Sequence, residues 1–236
     1  MERTRGRAAM AMRRARSLAV LVVVSTLALA GCSSVGHHTA GRDAYDYGPQ
    51  ATLRVCVLHT DDVGADRVQA LIGAVDREFA AYGIRVVVPW TRAWKRAGFS
   101  HEALFDDVAQ RTLEAPCDRL VAFVDRNAGD FLWGLVMPEV LGAVDQATHT
   151  RGYVVATRAS LNQLFSSPTA TSVHEFYHLL GCPHAATMTG CYARIARLKR
   201  AILPEADFFP GVAPDGSFLR TREAVNDRVR PGLAGP

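Results

Sequence analysis

Three of the chain's eight histidines fall within a short stretch, HEFYHLLGCPH, that runs from His174 to His184. An α-helix advances about 100° per residue, so His174 and His178 lie on one helix face about one turn apart. That spacing allows two imidazoles to bind one metal ion. The stretch therefore predicts a helix whose last turns, together with the loop that follows, form a metal site.

Local signals set the bounds of this helix. Ser167 followed by Pro168 is typical of a helix N-terminus, and Gly181 followed by Pro183 is typical of a helix end. We expect a helix from about Pro168 to Leu180. Gly181 tolerates a positive φ, so the chain can turn there and bring the third histidine to the metal from the side.

Glu175 adds the chemistry of hydrolysis to this metal site. Catalytic zinc takes three protein ligands and keeps a fourth position for water, whose pKa it lowers toward about 7. Glu175 follows a ligand directly but is rotated off the ligand face, so its carboxylate can accept the proton of that water. The set predicts a Zn²⁺ site with His174, His178 and His184 as ligands and Glu175 as the general base of peptide hydrolysis.

The pattern HExxHxxGxxH, from His174 to His184, resembles the elongated zinc motif of the metzincin metalloproteases. The resemblance implies a catalytic zinc on three histidines, an upper α/β subdomain and a small, irregular lower subdomain. It extends loosely over Thr52 to Leu203.

Two later residues can be compared with the same family. Metzincins carry a methionine in a turn beneath the zinc, and Met188 is the only methionine after His184. The connection is shorter than is usual in the family, and the alternative is a methionine that packs the lower core. Tyr192 is a candidate for stabilising an oxyanion, as a tyrosine does in some metzincins, and the alternative is a buried tyrosine with a structural hydrogen bond.

The sequence around the motif predicts the fold class. Short apolar runs predict strands in TLRVCVLHT, IRVVVPW and DRLVAFVD, and apolar residues at helical spacing predict helices in ADRVQALIGAVDREFAAYG and SHEALFDDVAQRTL. This alternation indicates an α/β (α+β) fold with a mixed, mostly parallel twisted sheet.

Between Phe131 and Arg158 we expect an edge strand, a surface loop around QATHTR and a final strand. We expect a domain over 51–203, with a helix in ARIARLKRAIL, and an irregular C-terminal extension over 204–236.

The first 31 residues predict export. The basic stretch MERTRGRAAMAMRRAR precedes the uncharged apolar run SLAVLVVVSTLALA, and LAGC ends at Cys32. This arrangement resembles the signal peptide and lipobox of bacterial lipoproteins, which implies that Cys32 is lipidated and anchors the chain to a membrane of the cell envelope, the outer membrane in a Gram-negative cell. The alternative is an uncleaved anchor, which also leaves the domain outside the cytoplasm.

Residues 32–50 are polar and contain glycine, so we expect a flexible tether there.

Removing the leader changes the charge of the chain. Of the 27 basic and 23 acidic residues, residues 1–31 hold six and one, which leaves 21 and 22. This near-neutral balance argues against a nucleic-acid-binding surface. We expect a monomer whose partners are a protein or peptide substrate and, through the lipid, a membrane.

Four cysteines follow Cys32, an even number that suits an exported chain. Three pairings are possible. We favour Cys56 with Cys117, because each is next to a predicted strand. We favour Cys182 with Cys191, because the two bracket the end of the histidine motif.

Two functions remain open. In the first, a lipid-anchored zinc endopeptidase cleaves extracytoplasmic proteins or peptides that lie antiparallel along the edge strand, as in the resembling family. In the second, a zinc-binding envelope lipoprotein is latent or lacks protease activity. The uncoordinated Glu175 favours the first, since a purely structural zinc site has no use for it. A zinc amidase acting on cell-wall peptides fits the location but has no motif of its own.

Overall fold

The structure is a computed structural model that describes residues 39–127, 129–130, 140–157, 167–185 and 187–229. The predicted signal peptide over 1–31, the lipidation site Cys32 and the apolar run FLWGLVMP lie outside the described residues. No helix among those described is both long and apolar enough to cross a membrane.

The secondary structure alternates strands and helices through most of the chain. The strands are β1 (Ala51–His59), β2 (Ile84–Val87), β3 (Thr91–Ala93), β4 (Arg119–Val124), β5 (Gly142–Val144), β6 (Arg151–Val155), β7 (Gly211–Val212) and β8 (Phe218–Leu219). The helices are α1 (Ala65–Phe79), α2 (His101–Ala109), α3 (Pro168–Leu179), α4 (Thr189–Arg200) and α5 (Arg222–Val229). Short 3₁₀ turns occupy Ala40–Ala44 and Ala80–Tyr82.

The main sheet is mixed and mostly parallel. Its strand order is β2-β1-β4-β6-β5, and β3 pairs with the second half of β1, beyond the end of β2. All pairs are parallel except β5 with β6, where Gly142 lies opposite Val154 and Val144 lies opposite Gly152. Helical connections return the chain to the same end of the sheet, which makes the following strand parallel. The α/β class with a mostly parallel sheet is therefore confirmed.

Helices cover both faces of the sheet. Successive side chains of a strand point to opposite faces, and β1 shows this directly. Val55 and Val57 join the core formed with α1, α3 and α4. Cys56 and Leu58 join a second core formed with α2 and the C-terminal segment. The metal-motif helix α3 belongs to the first layer and packs against α1, β5 and β6.

The N-terminal segment that we expected to be a tether is folded over residues 39–50. The Thr39 N–H donates to the Tyr192 hydroxyl at 3.2 Å. The ring of Tyr45 lies 6.1 Å from that of Tyr192, and the ring of Tyr47 contacts that of Tyr82 edge-on at 5.0 Å. The prediction relied on polar composition, whereas two tyrosines in this segment pack against the domain and hold it there.

The C-terminal extension is also part of the fold. Residues 211–219 form the β7–β8 hairpin, and α5 follows it. Apolar side chains from this region are buried, namely Phe208, Phe209, Val212, Leu219 and Val225. The expectation of an irregular extension outside the domain was therefore wrong for residues 208–225, because these dispersed side chains complete both cores.

Two disulfides are present among the described residues. Cys56 of β1 is bonded to Cys117 just before β4, and Cys182 is bonded to Cys191 of α4. These are the pairings favoured from the sequence. The second disulfide brackets the loop that carries His184.

Candidate metal centre

Local sequence signals define α3 as predicted. The Ser167 hydroxyl accepts a hydrogen bond from the Ala170 N–H at 3.2 Å, and Pro168 occupies the first turn. At the other end, Gly181 has a φ of 77°. The Gly181 N–H donates to the His178 carbonyl at 2.8 Å, which closes the helix and turns the chain toward His184.

The three motif histidines converge on one point. The Nε2 atom of His178 lies 3.0 Å from that of His174 and 3.1 Å from that of His184. The Nε2 atoms of His174 and His184 are 3.3 Å apart. Among the described residues, these form the one group of three or more histidine, cysteine, aspartate or glutamate side chains that could hold a metal ion.

The nitrogen spacing fits a zinc ion. Three nitrogens that bind zinc tetrahedrally at about 2.0–2.1 Å lie about 3.3 Å from one another. The observed separations of 3.0–3.3 Å are close to that value. His178 is buried whereas His184 is exposed, so the metal position opens to solvent on the His184 side.

A backbone carbonyl orients the central ligand. The His178 Nδ1 lies 2.6 Å from the Cys182 carbonyl oxygen, so Nδ1 carries the proton and donates it there. The lone pair of Nε2 then faces the other two histidines, as metal binding requires.

Burial lowers the pKa of His178 to about 4, against the opposing effect of its hydrogen bond to the Cys182 carbonyl. Burial and the two neighbouring imidazoles likewise lower the pKa of His174 to about 4. Both side chains are therefore neutral at physiological pH.

Glu175 is a buried carboxyl that forms no hydrogen bond with another described residue. Its residue is 8% exposed, and no described residue forms an ion pair with it. Burial raises its pKa to about 8. The side chain packs against Gly142 of the edge strand β5, where a Cβ would lie 2.6 Å from Glu175 Cγ. A buried carboxyl with a raised pKa beside a candidate metal site is costly to the fold and is typical of a functional group.

Met188 and Tyr192 both make structural contacts within the domain. Met188 is buried in the first core, directly before α4 begins. Tyr192 is fully buried, and its hydroxyl accepts the hydrogen bond from Thr39. Met188 as the turn methionine and Tyr192 as an oxyanion group stay predictions.

The loop around QATHTR was predicted to lie on the surface, but it is buried from Thr148 to Arg151 and exposed only at its start, at Gln146. Thr148 and Thr150 are fully buried, and His149 is 9% exposed. The Asp145 carboxylate accepts hydrogen bonds from the N–H groups of Ala147 and Thr148, at 2.8 and 3.1 Å, and from the Thr148 hydroxyl. The polar side chains form hydrogen bonds within the turn. The hydrophilic sequence therefore did not indicate that these residues are buried.

Several residues around the site were missed from the sequence. Gly142 contacts Glu175, while Val212 and His149 pack behind the loop that carries His184. Arg119 donates to the Leu179 carbonyl near the end of α3 at 3.0 Å. Their contacts join positions far apart in the chain, which no local pattern marks.

The chain resembles a known protein in structure rather than in sequence. No protein-family model matches it, and no curated protein matches it. Among solved structures it is similar to archaemetzincin from Methanopyrus kandleri, with a TM-score of 0.41 and 14% sequence identity over 76% of this chain and 94% of that chain. A similarity this distant assigns no function to the chain.

Proposed function

We propose that the protein is a zinc-dependent peptidase that cleaves protein or peptide substrates. The observation that carries the proposal is the convergence of the His174, His178 and His184 nitrogens at 3.0–3.3 Å on the helix that also holds Glu175. Three converging imidazoles and one uncoordinated carboxyl are the groups that zinc-assisted hydrolysis needs.

Zinc held by the three histidines would polarise the scissile carbonyl and lower the pKa of a water. Glu175 would take the proton of that water and deliver it to the leaving amine. Positive charge at the metal position favours the carboxylate form that accepts a proton, against the burial that raises its pKa. Contact with Gly142 keeps the Glu175 side chain in one place, which suits a general base.

The substrate would lie along the edge strand. Gly142, at the start of β5, lies against Glu175, and the outer side of β5 pairs with no other described strand. A peptide chain paired with that side would pass beside the general base. Addition of an extended peptide to a sheet edge supplies backbone hydrogen bonds regardless of sequence. We therefore expect cleavage of unfolded segments rather than of structured regions.

We also propose that the protein is exported and anchored by a lipid on Cys32. Two disulfides support an oxidising, extracytoplasmic environment. A labelled fatty acid should be incorporated into the wild-type chain in a bacterial host and not into Cys32→Ala. Equal labelling of both chains would contradict this part of the proposal.

Paired variants test the peptidase. Glu175→Gln keeps the size of the side chain but removes the base, so it should bind one zinc per chain and lose activity on an unstructured protein by about 10²–10⁴-fold. His178→Ala should lose both zinc and activity. The measurements are metal content after dialysis and the rate of cleavage.

Two outcomes would contradict the assignment. Equal loss of zinc in the two variants would show that Glu175 is a ligand rather than a base. One zinc per wild-type chain, with no cleavage of several unstructured substrates, would favour the non-proteolytic zinc-binding protein.

A further inference from the structure

The loop that carries His184 packs against the C-terminal segment. We call residues 181–184 the metal loop. A Cβ on Gly181 would lie 2.8–3.0 Å from three side-chain atoms of Val212, which is itself fully buried. The isopropyl group of Val212 thus occupies the space behind the turn and sets how closely the metal loop approaches the segment around β7.

The backbone N–H and the backbone carbonyl of Val212 both form hydrogen bonds with the turn between β5 and β6. Its N–H donates to the Thr148 carbonyl at 2.8 Å, and its own carbonyl accepts from His149 Nδ1 at 2.7 Å. His149 has a φ of 54°, a left-handed conformation that is uncommon for a residue with a side chain. Such strain persists where the surrounding structure holds it, and it is frequent near functional sites.

Arg119 provides a second connection between the same parts. Its buried guanidinium donates to the Leu179 carbonyl at 3.0 Å and to the Phe209 and Pro210 carbonyls at 2.9 and 2.6 Å. The cation therefore joins the C-terminal end of α3, where its charge is favourable, to the residues just before β7.

We propose that residues 209–213 form a brace that fixes the metal loop, with Val212 and His149 as its positioning residues. Neither residue is one of the three histidines that converge. The brace fixes the position of Gly181 against Val212. The His184 nitrogen therefore lies near those of His174 and His178 before any metal binds. If the brace is loosened, zinc binding must also order the metal loop. The conformational entropy lost in that step lowers the affinity for zinc.

The first test compares two valine truncations in the full chain, purified in detergent. Val212→Ala removes methyl groups that contact the metal loop, whereas Val86→Ala removes them from β2, elsewhere in the same core. We expect Val212→Ala to lower the affinity for zinc by about 10–100-fold in a chelator competition, as changes behind metal ligands typically do. Val86→Ala should lower the melting temperature and keep the wild-type affinity. Equal zinc affinity in both variants would overturn the proposal.

The second test separates the His149 hydrogen bond from its backbone conformation. His149→Gly accepts the positive φ but has no donor, whereas His149→Asn tolerates that φ and offers an amide N–H near the position of Nδ1. We expect His149→Gly to weaken zinc binding and to alter the visible absorption of bound Co²⁺, and we expect His149→Asn to restore both. An Asn variant as weak as the Gly variant, or a Gly variant equal to wild type, would overturn the role of His149.

The brace rests on the proposed metal site but not on peptidase activity. A wild-type chain that binds zinc and cleaves nothing would overturn the proposed function, while the affinity differences would still decide for or against the brace. A wild-type chain that binds no zinc would overturn both.

Discussion

Gly142 lies so close to Glu175 that no side chain fits between them. A Cβ at residue 142 would lie 2.6 Å from Glu175 Cγ and 2.8 Å from both Cδ and Oε1. The edge strand and the proposed general base are therefore in direct contact, and the absence of a side chain at position 142 is what permits it.

Replacing Gly142 should separate zinc binding from activity. Gly142→Ala would push the Glu175 carboxyl from its position, so we expect cleavage to fall by about 100-fold, as misplacement by about 1 Å can cause, with zinc content unchanged. Gly64→Ala is the matched control, because a Cβ there meets nothing within 4 Å. Full activity in Gly142→Ala would show that the position of Glu175 does not limit catalysis.

The two disulfides should contribute differently to stability and metal binding. The chain-entropy relation gives about 4 kcal/mol for the 61-residue separation of Cys56 and Cys117, and about 3 kcal/mol for the 9-residue separation of Cys182 and Cys191. Only the second disulfide constrains the loop that carries His184. Serine replacement of both cysteines of each pair, followed by urea unfolding and zinc titration, should show the larger stability loss for the first pair and the larger affinity loss for the second. The reverse order in affinity would contradict the assignment.

Asp130 should make the fold sensitive to acid. Arg96 donates to its carboxylate at 2.5 and 2.8 Å, and the Asn127 N–H donates at 3.0 Å. Burial opposes ionisation, but these hydrogen bonds prevail and hold the pKa of Asp130 below its ordinary value of 3.8. The stabilisation is therefore complete above about pH 4 and is lost as the pH falls through the lower pKa of the folded state.

The variant Asp130→Asn isolates this effect. At pH 7 we expect it to lower the free energy of unfolding by about 2–3 kcal/mol, since Arg96 loses its charged acceptor. The difference from wild type should shrink between pH 4 and pH 2, as measured by urea unfolding. A difference that does not change with pH would mean that the carboxylate charge contributes nothing.

Replacing Arg119 should destabilise the whole domain. Arg119→Met leaves the carbonyls of Leu179, Phe209 and Pro210 without their donor inside the core. Each unsatisfied group costs about 1–3 kcal/mol, so we expect a loss of at least 3 kcal/mol in the free energy of unfolding. Arg85→Met, at an exposed position of β2, is the control and should have little effect.

Sequence patterns predicted the elements whose signals are local. The helix expected from Pro168 to Leu180 is observed as Pro168–Leu179, because its serine cap and its terminal glycine act within a few residues. The strand expected in TLRVCVLHT is β1, since a run of buried apolar residues marks a central parallel strand. The spacing of the three histidines was sufficient to predict that they converge, because helix geometry and one turn determine it.

The features that the sequence did not predict depend on distant partners. Strand β3 has three exposed residues and no apolar pattern, and its pairing with β1 defines it. Tyr45 and Tyr47 gave no indication of packing because their partners, Tyr192 and Tyr82, lie far along the chain. The burial of Thr148 depends on Val212, whose N–H donates to the Thr148 carbonyl, and the role of Gly142 depends on Glu175. Such contacts are set by the fold rather than by local propensity.

The buried position of Arg119 makes the end of α3 and the C-terminal segment one cooperative unit. Among the described residues, the guanidinium donates only to backbone carbonyls, including that of Asp118 at 2.8 Å. If residues 209–210 detached, the cation would lose two of its acceptors, so partial opening is unfavourable. Hydrogen exchange should therefore show the amides of 209–213 and of the last turn of α3 opening together, as one unit of local unfolding rather than as a frayed tail beside a stable core.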